Sequence, residues 1–426
     1  MRGEVVRAML ASALSLFVVS LPARTLVLSQ SVADTASQKI KIEDLLKANS
    51  YKIAMSEGYL SGSGLEFLLK ATDKTQFFAI AEPHNAKEVP EITSSLFNSL
   101  KKHHGFNYLA LEQDPVMARM VSAPVNVGNR DYLVSLARKY LNAFTFITDQ
   151  ELEMISQVGA VSRGRGNRIW GLDQVFGAIH VLDRLSKFAP SPDVRNRTLK
   201  LVEVLKRNEA ERAKKQDRYT MAEVGNIEEF NQLLKQYHPK SGSEAEFLIS
   251  QMLLSARVYQ NNRDAESGQL TGYTASLERE ENMKALFMLE YRRAQVAGDA
   301  VPKVLLKLGH NHSIRGRSWS DVLSLGNFIS EFARSNGMNS FHLAVYNNNA
   351  TGDYGVLGST PDYKPLADAA AKDRWTVIDL RPLREYAYGG KLAGLNPELR
   401  RVIFGFDAVL LIGGASRGTY KLIGVE

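Results

Sequence analysis

Seven short apolar runs constrain the fold of this 426-residue chain more than any other feature. Each run has the length of a buried strand rather than of a helix. The first two runs flank an amphipathic helical stretch between Pro90 and Gly105, so these strands should be parallel and covered on both faces. The fold class is therefore α/β, with a mostly parallel central sheet flanked by helices. The predicted strands are residues 76–81, 106–111, 168–172, 303–308, 341–346, 375–380 and 408–412.

The segment between the third and fourth predicted strands contains helical patterns and no convincing strand. We therefore predict an α/β catalytic-type domain formed by residues 34–176 and 297–426. Residues 177–296 form a helical insertion, which we expect to act as a lid over the carboxyl ends of the strands. Residues 34–75 are polar and are expected to be mostly helical.

The N-terminus has the pattern of a secretory signal peptide. Arg2 and Arg7 precede an apolar run at residues 8–22, which is short for a membrane span of roughly 20 residues. We predict a signal peptide over residues 1–33 with cleavage after Ala33, and an uncleaved anchor is the alternative. The mature protein is then periplasmic or secreted and has no stable membrane span.

Composition excludes several classes of partner and chemistry. Lys and Arg number 53 against 46 Asp and Glu, and this net charge of +7 is spread along the chain, so no nucleic-acid partner is expected. The chain has no cysteine, which excludes a disulfide scaffold, a thiol nucleophile and a thiolate zinc site. A small molecule of unknown identity is the expected partner.

The residues that follow the apolar runs indicate a functional site. In an open parallel sheet, ligands bind outside the carboxyl ends of the strands, where residues distant in sequence meet. Four of the predicted strands end on carboxylates or imidazoles, and the side chains concerned are Glu82, His84, Glu112, Asp173, His310 and His312.

The local spacing indicates which of these side chains should converge. Residues i and i+2 of an extended chain point to one side, so Glu82 and His84 should meet, and so should His310 and His312. A histidine oriented by a glutamate is a natural general base, and a second histidine can polarise a carbonyl. The simpler alternative for a single acid is a structural one: Asp173, for example, could cap the helix that follows it.

Five segments of the chain resemble the erythromycin esterase-like family, within the esterase/ChaN/Tiki-like superfamily. The similarity runs in order from about residue 60 to residue 420. The matching segments include AEPHNAKE, YLALE, IWGLDQ and the strand that ends in HNH, and they are residues 81–88, 108–112, 169–174, 279–283 and 303–312.

The resemblance implies an exported ester or lactone hydrolase that uses a His-activated water and no cofactor. His84 would be the base, Glu82 and Glu112 would orient it or the water, and His310 or His312 would assist the carbonyl or the leaving group. Binding or supporting roles fall to Lys87, Glu88, Asp173, Arg279 and Glu280.

Departures from the family pattern leave two alternatives open. Ala81 and Asn85 replace expected glycines, and shorter spacings between the site residues resemble the ChaN and Tiki-like branches. One alternative is a metal-dependent hydrolase or protease with a divalent transition metal, and the other is a haem- or ligand-binding protein. The metal ligands would be His84, Glu112, His310 and His312.

Overall fold

The computed structural model describes most of the chain after the predicted signal peptide, which lies outside the described residues. Within the described part, no helix combines the length and the apolar character needed to cross a lipid bilayer. The described residues are 39–123, 126–162, 164, 166–213, 227–350, 357, 360–370 and 374–424.

A nine-stranded sheet runs through the protein in the order β3-β2-β9-β11-β8-β4-β7-β5-β6. From β11 to β6 all neighbours are parallel, whereas β9, β2 and β3 each pair antiparallel to their neighbours. β1 and β10 form a separate parallel pair. The strands are β1 Ile40–Lys41, β2 Ser50–Ser56, β3 Tyr59–Ser61, β4 Thr75–Glu82, β5 Tyr108–Leu111, β6 Ile169–Gly171, β7 Val304–Gly309, β8 Asn339–Ala350, β9 Trp375–Asp379, β10 Leu392–Ala393 and β11 Ala408–Ala415.

Helices cover both faces of this sheet, and several begin at the caps that their sequences predict. Thr148 accepts a hydrogen bond from the Glu151 amide, and Gly105 ends the first crossover helix in the left-handed conformation. The helices are α1 Ile42–Ala48, α2 Ser63–Ala71, α3 Glu88–His104, α4 Pro115–Ser122, α5 Arg130–Lys139, α6 Asp149–Val161, α7 Ile179–Leu185, α8 Pro192–Ala213, α9 Ile227–Tyr237, α10 Glu244–Glu266, α11 Gly272–Val296, α12 His310–Ser313, α13 Leu325–Ser335, α14 Lys364–Asp368, α15 Leu383–Tyr388 and α16 Pro397–Gly405.

The strands of the parallel block divide their side chains between two hydrophobic layers. Phe78 and Ile80 of β4 belong to the core that includes α3, whereas Phe77 and Ala79 belong to the core that includes Phe287 of α11. This alternation buries every residue of β4. The continuous apolar runs in the sequence are thus explained by burial on both faces.

The structure confirms the α/β fold with a mostly parallel sheet and all seven predicted strands. The expectation of mostly helix before β4 is wrong in part, because β2 and β3 form a hairpin there. Its two turn residues, Glu57 and Gly58, have φ values of 51° and 80°, as a type I′ turn requires. The division into an α/β domain and a helical lid at residues 177–296 stays a prediction.

Candidate active site

The carboxyl ends of three adjacent strands, β4, β7 and β5, border one cavity of about 530 Å³. The register aligns Glu82 with Gly309 and Leu111 with Lys307, so the residues after these positions meet at one edge of the sheet. The cavity is lined by predicted site residues and by three aromatic rings: Glu82, His84, Glu112, Arg279, His310, His312, Trp319, Tyr346 and Tyr363. The catalytic roles of the predicted residues stay a prediction.

His84 lies next to the carboxylate that the sequence pairs with it. Its side chain is 42% exposed, and its Nδ1 lies 3.4 Å from Oε1 of Glu82. Burial opposes a charged imidazole here, but the hydrogen bond to Glu82 and the charge of Glu112 outweigh burial and raise the pKa of His84. Because an ionised carboxylate can only accept, Nδ1 carries the proton and the lone pair of the neutral ring lies on Nε2.

Packing holds the His84 ring close to the end of β7. The ring stacks on Phe146 with 4.6 Å between centroids. A Cβ atom at Gly309 would lie 2.9 Å from Nε2 of His84 and 3.3 Å from Oε2 of Glu112. Glycine at this position therefore leaves the space in which the imidazole and the second carboxylate approach each other.

A sharp turn follows His84, and it explains one of the two replaced glycines. Asn85 has a φ of 63°, in the left-handed region that glycine and asparagine adopt most readily. The carbonyl of Asn85 accepts a hydrogen bond of 3.0 Å from the amide of Gly418. Asn85 thus supplies the backbone conformation for which the family pattern has glycine.

Lys87 and Glu88 hold this loop in place and do not line the cavity. The amide of Lys87 donates to the carbonyl of Ser416 at 2.8 Å, and the Glu88 carboxylate accepts from both the amide and the hydroxyl of Ser416. The segment after β11 is therefore the anchor of the loop that carries His84.

Glu82 belongs to a buried network of ion pairs with Lys307 and Glu151, which the sequence analysis missed. Lys307 of β7 is fully buried, and its Nζ lies 2.8 Å from Glu82 and 2.5 Å from Glu151. Burial raises the pKa of Glu82, but Lys307 and His84 outweigh it, so that the pKa is lowered. For Glu151 burial prevails and its pKa is raised. Lys307 therefore keeps Glu82 ionised and able to accept from His84.

The second carboxylate, Glu112, is held by an arginine clamp. Nη2 of Arg279 donates to Glu112 at 2.8 Å and to Asp173 at 2.7 Å, and Nε donates to Asp173 at 2.8 Å. The other oxygen of Glu112 accepts from the amide of Gly309 at 2.7 Å. Burial is outweighed by His312 and Arg279, which lower the pKa of Glu112 to about 2.

Asp173 is thereby assigned to this clamp. The alternative that it caps a following helix is wrong, because the next helix in the described chain, α7, begins at Ile179 after Ala178. Besides Arg279, Asp173 accepts only a local hydrogen bond from the amide of Gln174 among the contacts of the described residues.

His312 is oriented by Glu280 of α11. Its Nδ1 lies 2.6 Å from Oε1 of Glu280, and its Nε2 lies 3.5 Å from Glu112. The second oxygen of Glu280 accepts from the amide of Leu325 at 2.8 Å. Burial disfavours the charged ring, but the adjacent carboxylates outweigh burial and raise the pKa of His312.

His310 faces different surroundings, which corrects the reasoning from an extended chain. Residues 310–313 form the helical turn α12, so the alternation expected of a strand does not apply. The His310 ring stacks on Tyr346 at 4.6 Å between centroids. Burial, and then the charge of His84, lower the pKa of His310 to about 4, so this ring is neutral at pH 7.

The proposed metal ligands do not form a preorganised metal site. Among the described residues, no group of three or more His, Asp or Glu side chains is arranged to hold a metal ion. Both oxygens of Glu112 are occupied by Arg279 and Gly309, and His310 and His312 pack against different partners. A metal at this place would have to displace the arginine clamp.

Two residues missed from the sequence had recognisable signals. Lys307 interrupts the otherwise apolar run KVLLKL, and a lysine within a fully buried strand needs ionic partners. Glu151 is identifiable as the third residue after the helix cap Thr148, but its carboxylate binds Lys307 instead of the helix terminus. Nothing local in the sequence indicates that these two residues meet.

Comparisons with known proteins identify the fold. No protein-family model matches the chain, and no curated protein matches it. A solved protein from Bacillus cereus is 14% identical with a TM-score of 0.56, covering 89% of this chain and 98% of its own. A mutant of the erythromycin esterase EreC in its open conformation is 13% identical with a TM-score of 0.54, covering 84% and 95%. The chain has the erythromycin esterase-like fold.

A third structure supports the same conclusion. A succinoglycan biosynthesis protein is 14% identical with a TM-score of 0.57, and the match covers 89% of this chain and 97% of that protein. The resemblance inferred from the sequence motifs is thus confirmed at the level of the fold. At such low identity the likeness carries the architecture and not the activity.

Proposed function

We propose that the chain is an ester or lactone hydrolase in which His84 activates a water molecule. The observation that carries this proposal is the His84 imidazole, which is oriented by buried Glu82 and borders a cavity of about 530 Å³. A site of this size accommodates a small organic substrate. The likeness to an esterase of the same fold supports hydrolysis as the reaction class. Export through residues 1–33 is part of the proposal.

In the proposed reaction His84 acts as the general base. Its Nε2 takes a proton from water while the water oxygen attacks the carbonyl carbon, and Glu82 stabilises the resulting imidazolium. As the tetrahedral intermediate collapses, the carbon–oxygen bond to the alcohol breaks, and the His84 imidazolium returns its proton to the leaving alcohol oxygen, which regenerates the neutral base. The acid and alcohol products together contain all the atoms of the ester and the water.

His312 is better suited than His310 to assist the developing negative charge. The raised pKa of His312 favours the protonated ring, which can donate from Nε2, whereas His310 is neutral at pH 7. A preorganised donor of this kind contributes most where water is excluded. Glu112 lies 3.5 Å from Nε2 of His312, and its charge raises the pKa of both His84 and His312, so this carboxylate favours the charged form of both rings.

The test is hydrolysis of a panel of nitrophenyl esters and lactones of increasing size. The His84→Ala variant should lose at least a hundredfold in kcat/KM, since general base catalysis contributes about 10²–10⁴-fold. His103→Ala, which removes an exposed histidine of α3, is the matched control and should be unchanged. Equal activity of wild type and His84→Ala would sink the proposal, and loss of activity with a chelator would favour the metal-dependent alternative.

A further inference from the structure

A second polar cavity lies at the opposite edge of the sheet from the candidate active site. It encloses about 310 Å³ at the amino ends of β4, β8 and β11, where it is lined by Thr75, Ser340 and Asp407. β4 has eight residues, and at about 3.3 Å per residue the two edges lie roughly 25 Å apart. This cavity is therefore separate from the hydrolytic site.

Four arginines line this cavity, and carboxylates only partly compensate them. Asp407 and Glu331 also line it, and Asp379 just outside binds Arg381 through both oxygens at 2.8 Å. Four guanidinium groups against three carboxylates leave one positive charge in excess. The arginines are Arg315, Arg334, Arg381 and Arg384.

One carboxylate is shared by two of the arginines. Asp407 accepts from Arg315 at 2.5 Å and from Arg384 at 3.0 Å, and it also accepts from the backbone amide of His342 at 2.9 Å. The two oxygens of Asp407 are thus divided between two guanidinium groups, one oxygen for each arginine. Arg384 also donates to the carbonyls of Ile403 at 3.0 Å and Phe406 at 2.8 Å. A buried N–H group that finds no such acceptor in the chain requires another one.

Arg315 shows this requirement most directly. Its Nε donates to the hydroxyl of Ser330 at 2.7 Å, and its Nη2 donates to the carbonyl of Ser340 at 3.0 Å. Its Nη1 is buried and has no hydrogen-bond partner among the described residues. A buried donor left without an acceptor costs about 1–3 kcal/mol, which an anion could recover.

Arg334 adds an exposed cation to the lining of the same cavity. It lies on α13, and its side chain forms no hydrogen bond or ion pair with the described part of the chain. Guanidinium groups match the oxygens of a phosphate in paired, charge-assisted hydrogen bonds. An exposed arginine beside a buried unsatisfied one is therefore the arrangement that a dianion would bridge.

We propose that this cavity is a binding site for phosphate, either as the free ion or as a small phosphate monoester, held by Arg315, Arg334 and Arg384. Its volume corresponds to about ten water molecules at about 30 Å³ each, which leaves room for the organic part of a monoester. The site does not depend on the proposed hydrolase activity, because it shares no residue with that cavity.

Calorimetric titration of the full chain with inorganic phosphate and with glycerol phosphate, at constant ionic strength, tests the proposal. We expect saturable binding of one ligand per chain, and the tighter of the two ligands identifies the free ion or the ester as the source. The Arg334→Gln variant should weaken binding about tenfold, the effect of losing one charge-assisted hydrogen bond. His84→Ala should bind phosphate as the wild type does.

Arg292→Gln is the matched control, because it removes an exposed arginine of α11 outside the cavity. Arg334 forms no ion pair with the described residues, so its replacement should not disturb folding. Replacement of Arg315, in contrast, would leave Asp407 with one partner fewer. A heat of binding that does not saturate, or equal affinity in Arg334→Gln and Arg292→Gln, would mean an adventitious ion only and would overturn the proposal.

Discussion

The two edges of the sheet bury charge in opposite arrangements. At the carboxyl edge one cation, Lys307, lies between two carboxylates, Glu82 and Glu151. At the amino edge one carboxylate, Asp407, lies between two cations, Arg315 and Arg384. The same apolar strands separate the two networks, so one scaffold maintains an excess of acid at one end and an excess of base at the other.

Histidines at the two edges report this difference. At the carboxyl edge carboxylates overcome burial and raise the pKa of both His84 and His312. At the amino edge burial, followed by the charge of Arg315, lowers the pKa of His342 to about 3. His310 also lies at the carboxyl edge, yet burial and the charge of His84 lower its pKa to about 4. The charges nearest to each ring therefore decide whether the imidazole can be protonated near neutral pH.

The largest expected effect comes from removing the cation of the carboxyl edge. Lys307→Met leaves Glu82 and Glu151 buried against each other, and breaking a buried ion pair in this way costs about 3–5 kcal/mol. Urea unfolding at pH 7 measures the loss. Lys303→Met, at the partly exposed position just before the same strand, should cost less than about 1 kcal/mol. Similar losses in both variants would contradict the role assigned to the network.

The second prediction concerns the space that glycine leaves beside His84. A methyl group at Gly309 would lie 2.8 Å from Cε1 of His84, so Gly309→Ala should displace the ring. A misplacement of about 1 Å can reduce the rate about a hundredfold, which ester hydrolysis would show. Gly272→Ala is the control, since its new methyl group would be in ordinary contact at 3.4 Å. Full activity of Gly309→Ala would contradict the assigned position of the base.

The third prediction concerns how the folding stability that His342 contributes at the amino edge depends on pH. Its pKa is about 3 when folded and about 6.5 when unfolded, so between these values the unfolded chain binds the extra proton. Its contribution to stability is therefore complete above pH 6.5 and is lost as the pH falls. From pH 7 to pH 5 this amounts to about 2 kcal/mol in urea unfolding.

The same measurement on variants isolates this contribution. His342→Asn should lose less stability between pH 7 and pH 5 than the wild type does, whereas exposed His103→Asn should lose as much as the wild type. The raised pKa values at the carboxyl edge act in the opposite sense: His84 and His312 stabilise the fold at low pH, and this stability disappears as the pH rises through their folded values. If the stability of His342→Asn depended on pH as that of the wild type does, the proposed difference between the histidines of the two edges would be refuted.

The smallest expected effect is a displacement of the pH profile of hydrolysis. Because the pKa of His84 is raised and the base must be unprotonated, the acid limb of kcat/KM should lie above pH 6.5. Glu82→Gln should move this limb to lower pH, and Asp407→Asn at the other edge should leave it unchanged. A limb that shifts equally in both variants would show that the two edges are coupled, contrary to their separation.

The parallel strands could be predicted from sequence because burial on both faces requires continuous apolar runs. The hairpin of β2 and β3 could not, since the polar segment around Lys52 and Glu57 lacks such a run and its turn begins with a glutamate instead of the usual Asn or Asp. Neither the hydrophobic pattern nor the turn residues therefore predict the two outermost strands, β2 and β3.

In the candidate site, too, some contacts could be predicted from the sequence and others could not. Glu82 and His84 could be paired from their spacing, because β4 continues in extended form to Glu82. The positions of His310 and His312 could not, because the chain turns into a helix directly after β7. The partnership of Lys307 with Glu151 joins residues 156 positions apart, and only the tertiary structure brings them together.

The anchoring of the His84 loop by Ser416 and Gly418 has a consequence for biosynthesis. β11 follows every other described strand in the chain, yet it occupies an interior place in the sheet between β9 and β8. A nascent polypeptide that has emerged only as far as β9 lacks both this strand and the clasp beyond it. The loop that carries His84 should consequently reach its final position only after residues 416–418 have joined the fold.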